Sequence, residues 1–231
     1  PMCQKADWKL TATLAWDGTG WQLVNMEPGD TTHQNMGLAV DLGSTTVVME
    51  AVDLASGKVL ASRTAVNRQV EFGNEILSRI FSSHEHPEIL EKLRVATIST
   101  IQSLVEDLSE EVNYDLKNCG MMVISGNTTM MHFLLGLDAF TVFMSPYATV
   151  TTEPGFIPAR DLGLELAGMV YVVPSKSNYV GGDITSGAVA LGLTRSEEIN
   201  VFLDIGTNGE LLMGNRDFMV AGAGAAGPAL E

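Results

Sequence analysis

The sequence predicts an α/β protein in which one unit of fold is used twice, and three observations carry that prediction. From residue 36 to about 198, the order of apolar runs reads as three strands, helix, strand, helix, strand, helix. Near Asn200 a second set of three short strands begins the same order again. Between the first two strands of each set lies a turn of one kind, Asp41-Leu42-Gly43-Ser44-Thr45-Thr46 and Asp204-Ile205-Gly206-Thr207-Asn208-Gly209. A period this long is the duplication of a folding unit, not a short repeat. The expectation is one complete βββαβαβα lobe followed by the opening strands of a second.

Residues 1–34 read as the tail of a preceding linker or middle domain. Segment 8–14 alternates, Asp17-Gly18-Thr19-Gly20 is a turn, and 21–24 resumes extended structure. A hairpin of this length is marginal alone, so it should pack on a neighbour or belong with a domain that precedes it. Glu27-Pro28-Gly29-Asp30 then breaks the pattern before the first lobe, placed at 35–198. Strands are expected there at about 37–41, 46–53 and 58–66, linked by the Asp41 turn and by Asp53-Leu54-Ala55-Ser56-Gly57. A short helix near 75–81 precedes a long one over about 87–112. In the long helix Ile89, Leu93, Ala96, Ile101, Leu104, Val105, Leu108 and Val112 recur at three- and four-residue spacing. Pro87 and Glu88 suit its first turn. A buried strand at 121–124 leads through Ser125-Gly126-Asn127 into a helix over 128–135. A polar, proline-bearing connection covers roughly 138–168, and 169–173 is the next strand. Gly181-Gly182-Asp183 opens a small-residue helix through Leu193. The second unit, 199–231, should begin with strands at 200–205, 210–214 and 217–221.

With 231 residues, 45% hydrophobic and 18% charged, the chain can bury a sizeable core. Its net charge of −15 argues against nucleic acid or an anionic membrane as a partner for a broad basic face. Cys3 and Cys119 are too few for a four-thiolate iron–sulfur cluster or a disulfide framework, which points to a reducing compartment. Cys119, beside an apolar strand, reads as a small buried side chain. There is no signal peptide and no apolar run of membrane-spanning length, so a cytoplasmic location is expected. The four histidines lack zinc-site spacing, and His132, among Met131 and Phe133, reads as a satisfied core residue.

A strand, an Asp-x-Gly-[Ser/Thr] turn and a second strand form a hairpin suited to phosphate. The glycine lets the backbone approach closely, and successive N–H groups with hydroxyls can cradle an anion. The candidates are Gly43, Ser44, Thr45 and Thr46 in the first turn, with Gly206, Thr207, Asn208 and Gly209 in the second. Asp41 and Asp204 end the preceding strands, where a carboxylate can hold Mg²⁺ through water because that cation keeps its hydration shell. The bland alternative is that these are turn residues bonded to their own backbone. Gly181 and Gly182 set a helix N-terminus where it can point at phosphates, with Asp183 in or near its first turn, either as a plain cap or as a functional carboxylate.

Duplicated lobes of this order, each with such a turn, resemble the actin, sugar kinase and heat-shock ATPase superfamily. That resemblance implies an RNase H-like lobe of the actin-like ATPase fold, with ATP gripped between lobes. More narrowly, segments 37–46, 126–132, 181–183, 202–211 and 225–231 resemble the ATPase domain of reductive activators of corrinoid proteins. Together they span most of the chain. Members of that family use ATP to return Co(II) corrinoid to Co(I), with electrons passing through an iron–sulfur domain that precedes the ATPase domain.

The resemblance implies ATP and Mg²⁺ as cofactors, and a 2Fe-2S cluster only in an N-terminal domain outside this chain. It implies a corrinoid protein of a methyltransferase system as partner and leaves a homodimer open. It makes Asp183 the residue that positions Mg²⁺ or the attacking water, with Glu210 as the alternative catalytic carboxylate. Asp41, Asp183 and Asp204 are then the metal-associated set. The cluster-binding cysteines and the adenosine-binding remainder of the second lobe are not in this sequence, so the chain alone is expected to be inactive. Two other readings stay open: a small-molecule kinase of the superfamily, and a non-catalytic nucleotide-gated module that grips a protein.

Overall fold

A computed structural model describes residue 4 and residues 7–205 and 208–225. Strands β1 (Leu10–Trp16) and β2 (Trp21–Pro28) form the leading hairpin. The first lobe follows with β3 (Met36–Leu42), β4 (Thr46–Asp53) and β5 (Lys58–Val66), then α1 (Ile76–Glu85) and α2 (Pro87–Val112). Next come β6 (Met121–Gly126), α3 (Thr128–Leu135), α4 (Phe140–Phe143), β7 (Gly155–Pro158), α5 (Ala159–Leu162), β8 (Met169–Val172) and α6 (Gly182–Ala190). Strands β9 (Asn200–Ile205), β10 (Asn208–Gly214) and β11 (Met219–Ala225) close the described chain.

The lobe is a six-stranded mixed sheet in the order β5-β4-β3-β6-β8-β7. β3, β4 and β5 form an antiparallel meander, whereas β6 and β8 extend it in parallel from β3. One face of the sheet is the core. Leu38, Val40 and Leu42 of β3, Met122 and Ile124 of β6, and Val170 and Val172 of β8 are buried there under Leu93, Ile101, Leu104 and Leu108 of α2 and Met130, Phe133 and Leu134 of α3. The opposite face carries Ala39, Asp41 and Ser125, and alternation of side chains along a strand puts them there together. His132 belongs to the core side: it contacts the Thr128 carbonyl through Nδ1 (2.7 Å), and Nε2 accepts from Val150 N–H (3.1 Å). Burial lowers its pKa, so it is a neutral structural histidine.

One part of the expected order differs. The connection at 138–168 contains β7, an edge strand antiparallel to β8, flanked by the short helices α4 and α5. Three prolines, Pro146, Pro154 and Pro158, interrupt this region and its strand has only four residues, so no period-2 pattern could develop over it. β11 also sits two residues later than expected, because a turn at 215–218 closes with Asn215 accepting from the Asp217 and Phe218 N–H groups.

The hairpin packs on the lobe at the strand N-termini. A Cβ on Gly120, just before β6, would lie 2.9 Å from Thr13 Cγ2. The cleft beneath it, about 330 Å³ and lined by Thr11, Glu27, Tyr114 and Cys119 among others, is at the end of the sheet away from Asp41. Burial, then Asp115 and Glu27, pushes the Cys119 thiol up to about 12, and the side chain is free and inert. β9, β10 and β11 form a separate antiparallel sheet, and its Phe202 and Leu212 pack on Ile184 and Ala188 of α6. Val201, Leu203 and Ile205 lie exposed on its other face. Among the described residues no helix is long and apolar enough to cross a membrane.

Candidate functional site

Asp41 lies one residue before the end of β3 on the open sheet face, beside Ser125 in the parallel register with β6. α6 crosses this face: Ser125 Oγ and Ser186 Oγ are 2.9 Å apart. Asp183 stands in the first turn of α6. On the far side of the helix, Asp204 of β9 is directly opposite Glu210 of β10. These two share a sheet face with the paired Phe202 and Leu212, which touch α6, so their carboxylates belong to the same side. Three elements, carrying residues up to 163 positions apart, thus bring Asp41, Asp183 and Asp204 into one electrostatic group. The carboxyl ends of parallel strands are where open α/β sheets bind ligands.

The charges resist one another. Burial, joined by the charges of Asp204 and Asp41, raises the Asp183 pKa to about 6 against a hydrogen bond from Ile184 N–H (2.8 Å). Asp41 keeps a solvent-exposed surface, yet partial desolvation and then Asp204 raise its pKa as well. Among the described residues no three His, Cys, Asp or Glu side chains come close enough to hold a metal ion directly. A hydrated cation is the species such an arrangement fits, since Mg²⁺ retains several waters.

The first turn is built to show its amides. Gly43 N–H donates to Thr46 O (3.0 Å), and a Cβ at Gly43 would lie 2.5 Å from that oxygen. Behind the turn Asn67 Nδ2 donates to Gly43 O (2.9 Å), Asn67 N–H to Thr45 O (2.8 Å), and Arg79 Nη1 to Ser44 O (2.6 Å). In a trans peptide the C=O and the next N–H point in opposite directions. Holding the Gly43 and Ser44 carbonyls inward therefore aims the N–H groups of Ser44 and Thr45 outward, and among the described residues neither has a protein acceptor. Thr46 begins β4 with its side chain exposed.

At α6 the N-cap Gly181 offers no side-chain cap. A Cβ there would meet Asn127 Cα at 2.5 Å and Gly126 O at 2.8 Å, so only glycine lets α6 start against the β6–α3 turn. Gly182 is buried beside Val173 O. Two helix N-termini thereby lie side by side, with that of α3 capped by Asn127, whose side chain accepts from Met130 N–H (2.9 Å). Aligned N–H groups at such ends favour anions.

Of the second turn, Gly206 and Thr207 lie outside the described residues. Asn208 begins β10, and Gly209 pairs with Ile205 inside the ladder. Sequence reasoning missed Asn67, Gln69 and Arg79 behind the first turn. One signal was present: Arg79 falls on the same stripe as Ile76, Ile80 and Ser83, the spacing of a buried helical face.

The RACo middle region family matches residues 36–196, and the C-terminal domain of RACo, described as the ASKHA domain, matches 198–231. This chain belongs to the RACo family. It is 32% identical over 216 residues to the corrinoid activation enzyme RamQ of Eubacterium limosum, covering 92% of this chain and 36% of RamQ. A solved structure of a reductive activator for corrinoid, iron-sulfur protein matches with TM-score 0.89 and 39% identity, over 99% of this chain and 37% of that one. The chain thus spans little more than a third of either relative. The fold is the actin-like ATPase fold of the ASKHA class.

Proposed function

We propose that this chain supplies part of the ATP site of a protein that uses ATP to drive reductive reactivation of Co(II) corrinoid in a corrinoid protein. The observation that supports it most is the meeting of Asp41, Asp183 and Asp204 from three elements beside outward amides and an uncapped helix start. Residues 35–198 read as the first lobe, 199–231 as the opening of the second, and 1–34 as the tail of a preceding segment. Backbone N–H groups of Ser44 and Thr45, the hydroxyl of Thr46 and the start of α6 at Gly181 and Gly182 would bind phosphate oxygens. Gly206, Thr207, Asn208 and Gly209 would form the matching grip of the second turn. Asp41, Asp183 and Asp204 would hold Mg²⁺ through its waters, and the ion, when bound, neutralises phosphate charge.

Asp183 is the best-placed carboxylate to orient a water for attack, because its pKa near 6 leaves it mostly ionised at neutral pH yet ready to accept a proton. Glu210, across the ladder from Asp204, is the alternative. Cys119 is buried with its thiol pushed up to about 12 and does not suit an iron–sulfur cluster, so the 2Fe-2S centre is assigned to an N-terminal domain beyond this chain. A Co(I) product needs a reducing compartment, which fits a cytoplasmic location. The partner is a corrinoid protein of a methyltransferase system, and the activator is open to forming a homodimer.

The test is ATP turnover by the full-length protein with and without a Co(II) corrinoid protein, alongside the loss of Co(II) absorbance. Turnover and reduction that both require the corrinoid protein support the reading. Turnover that responds to a small hydroxylated acceptor makes it a kinase, and ATP binding with negligible turnover makes it a gated module.

A further inference from the structure

Arg79 is the largest fully buried side chain among the described residues, and it lies behind the first turn, away from the three aspartates. It enters the interior on the apolar stripe of α1 and spreads its guanidinium behind the first turn. Nε donates to Gly73 O (2.7 Å), Nη1 to Ser44 O (2.6 Å) and Gln69 Oε1 (3.3 Å), and Nη2 to Asn74 O (3.5 Å). Every acceptor is neutral. Among the described residues no Asp or Glu forms an ion pair with it. A guanidinium stays protonated in proteins, and a buried charge without a counter-charge is costly. Burial works against its charged form here, with no carboxylate offsetting that effect.

We propose that Arg79 is a positioning residue for phosphate, whose buried charge takes its counter-anion from the nucleotide bound at the Ser44 turn. The inference rests on the nucleotide reading above. Ser44 is the link: its carbonyl is drawn to Arg79, and the same peptide plane turns Thr45 N–H to the opposite side. The chain carries a net charge of −15, so a fixed positive charge behind this turn offsets a field that otherwise repels phosphate. Without ligand the charge is stabilised by carbonyl dipoles alone; with phosphate in front of the turn it gains a full opposite charge. By linkage, ligand binding and stability must then both depend on it.

Two variants of the full-length protein test this. Gln69→Glu places a carboxylate at the atom position that already accepts from Arg79, giving the guanidinium an internal partner. It should weaken Mg·ATP binding about tenfold. Arg79→Met should weaken Mg·ATP and Mg·ADP by a similar factor and leave adenosine binding unchanged. A destabilised protein with wild-type phosphate affinity is what a merely structural arginine predicts. If Arg79→Met does not fold, Gln69→Glu decides. Wild-type Mg·ATP affinity in folded Gln69→Glu overturns the proposal. If the wild-type protein itself fails to take up Mg·ATP, the nucleotide reading falls first and this inference with it.

Discussion

Three aspartates meet at the site, and the cost of burying their charges beside one another can be measured. The folded pKa of Asp183, about 6, is above the ordinary value of 3.8, so the folded state binds this proton more tightly than the unfolded chain. Stability from this group is therefore fully present below pH 3.8 and is lost as pH rises through about 6. Without nucleotide or divalent cation, Asp183→Asn should stabilise the full-length protein at pH 7 by roughly 1–3 kcal/mol. The gain should shrink towards zero at pH 4, and melting curves at the two pH values check it. Unchanged stability at pH 7 would mean the carboxylate is not strained. Asp41→Asn and Asp204→Asn keep the side-chain shape and remove the charge that would hold Mg²⁺. Each should cut ATP-driven corrinoid reduction about tenfold or more, a rise of at least ~1.4 kcal/mol in the barrier, while docking of the corrinoid protein persists. A pull-down beside the reduction assay separates the outcomes: wild-type reduction removes the aspartates from the coupling, and lost docking makes them structural.

Between single residues and the lobe, α6 is the element on which the site depends. It bridges the two sheets, with Ser186 on β6 and Ile184 and Ala188 on the β9–β10 face. Gly187 belongs to the same fit, since a Cβ there would lie 2.7 Å from the Phe202 ring. Its start is possible only because Gly181 lets two backbones meet. Gly181→Ala puts a methyl against Asn127 Cα and Gly126 O, which are backbone atoms and cannot swing away. The helix must move, at a cost of roughly 1–3 kcal/mol, and nucleotide affinity should fall with it. Gly20→Ala, with nothing within 4 Å, is the control and should stay within about 0.5 kcal/mol in urea unfolding. Equal effects of the two substitutions would show that the close approach is not needed.

At the level of the whole molecule, this chain spans 36–37% of the relatives it matches, and in the proposed reading it holds phosphate through the first turn and α6. Binding must overcome roughly 4–15 kcal/mol of lost freedom and ordering, and contacts to one end of a nucleotide supply little surplus. Residues 1–231 expressed alone should therefore bind ATP more weakly than micromolar, read by calorimetry beside the full-length protein. Micromolar affinity in the isolated chain would show that these turns suffice.

Much of this was legible without coordinates. The meander of β3, β4 and β5, the long α2, and the strand-to-helix passages at Ser125-Gly126-Asn127 and Gly181-Gly182-Asp183 follow from local causes. Apolar period, turn glycines and capping residues act within a few positions of one another, so the sequence by itself determined the elements, the duplicated Asp-x-Gly turns and the family. β7 escaped because a four-residue strand that follows Pro154 and ends on Pro158 leaves no period to read. What only the tertiary structure decided is which groups face each other. The pairing of Asp41 with Ser125, the approach of Asp204 to Asp41, and the burial of Arg79 behind Ser44 join residues 35 to 163 positions apart. Such contacts arise from strand register and helix packing, which depend on the summed fit of the whole core and leave no mark at the residues they bring together.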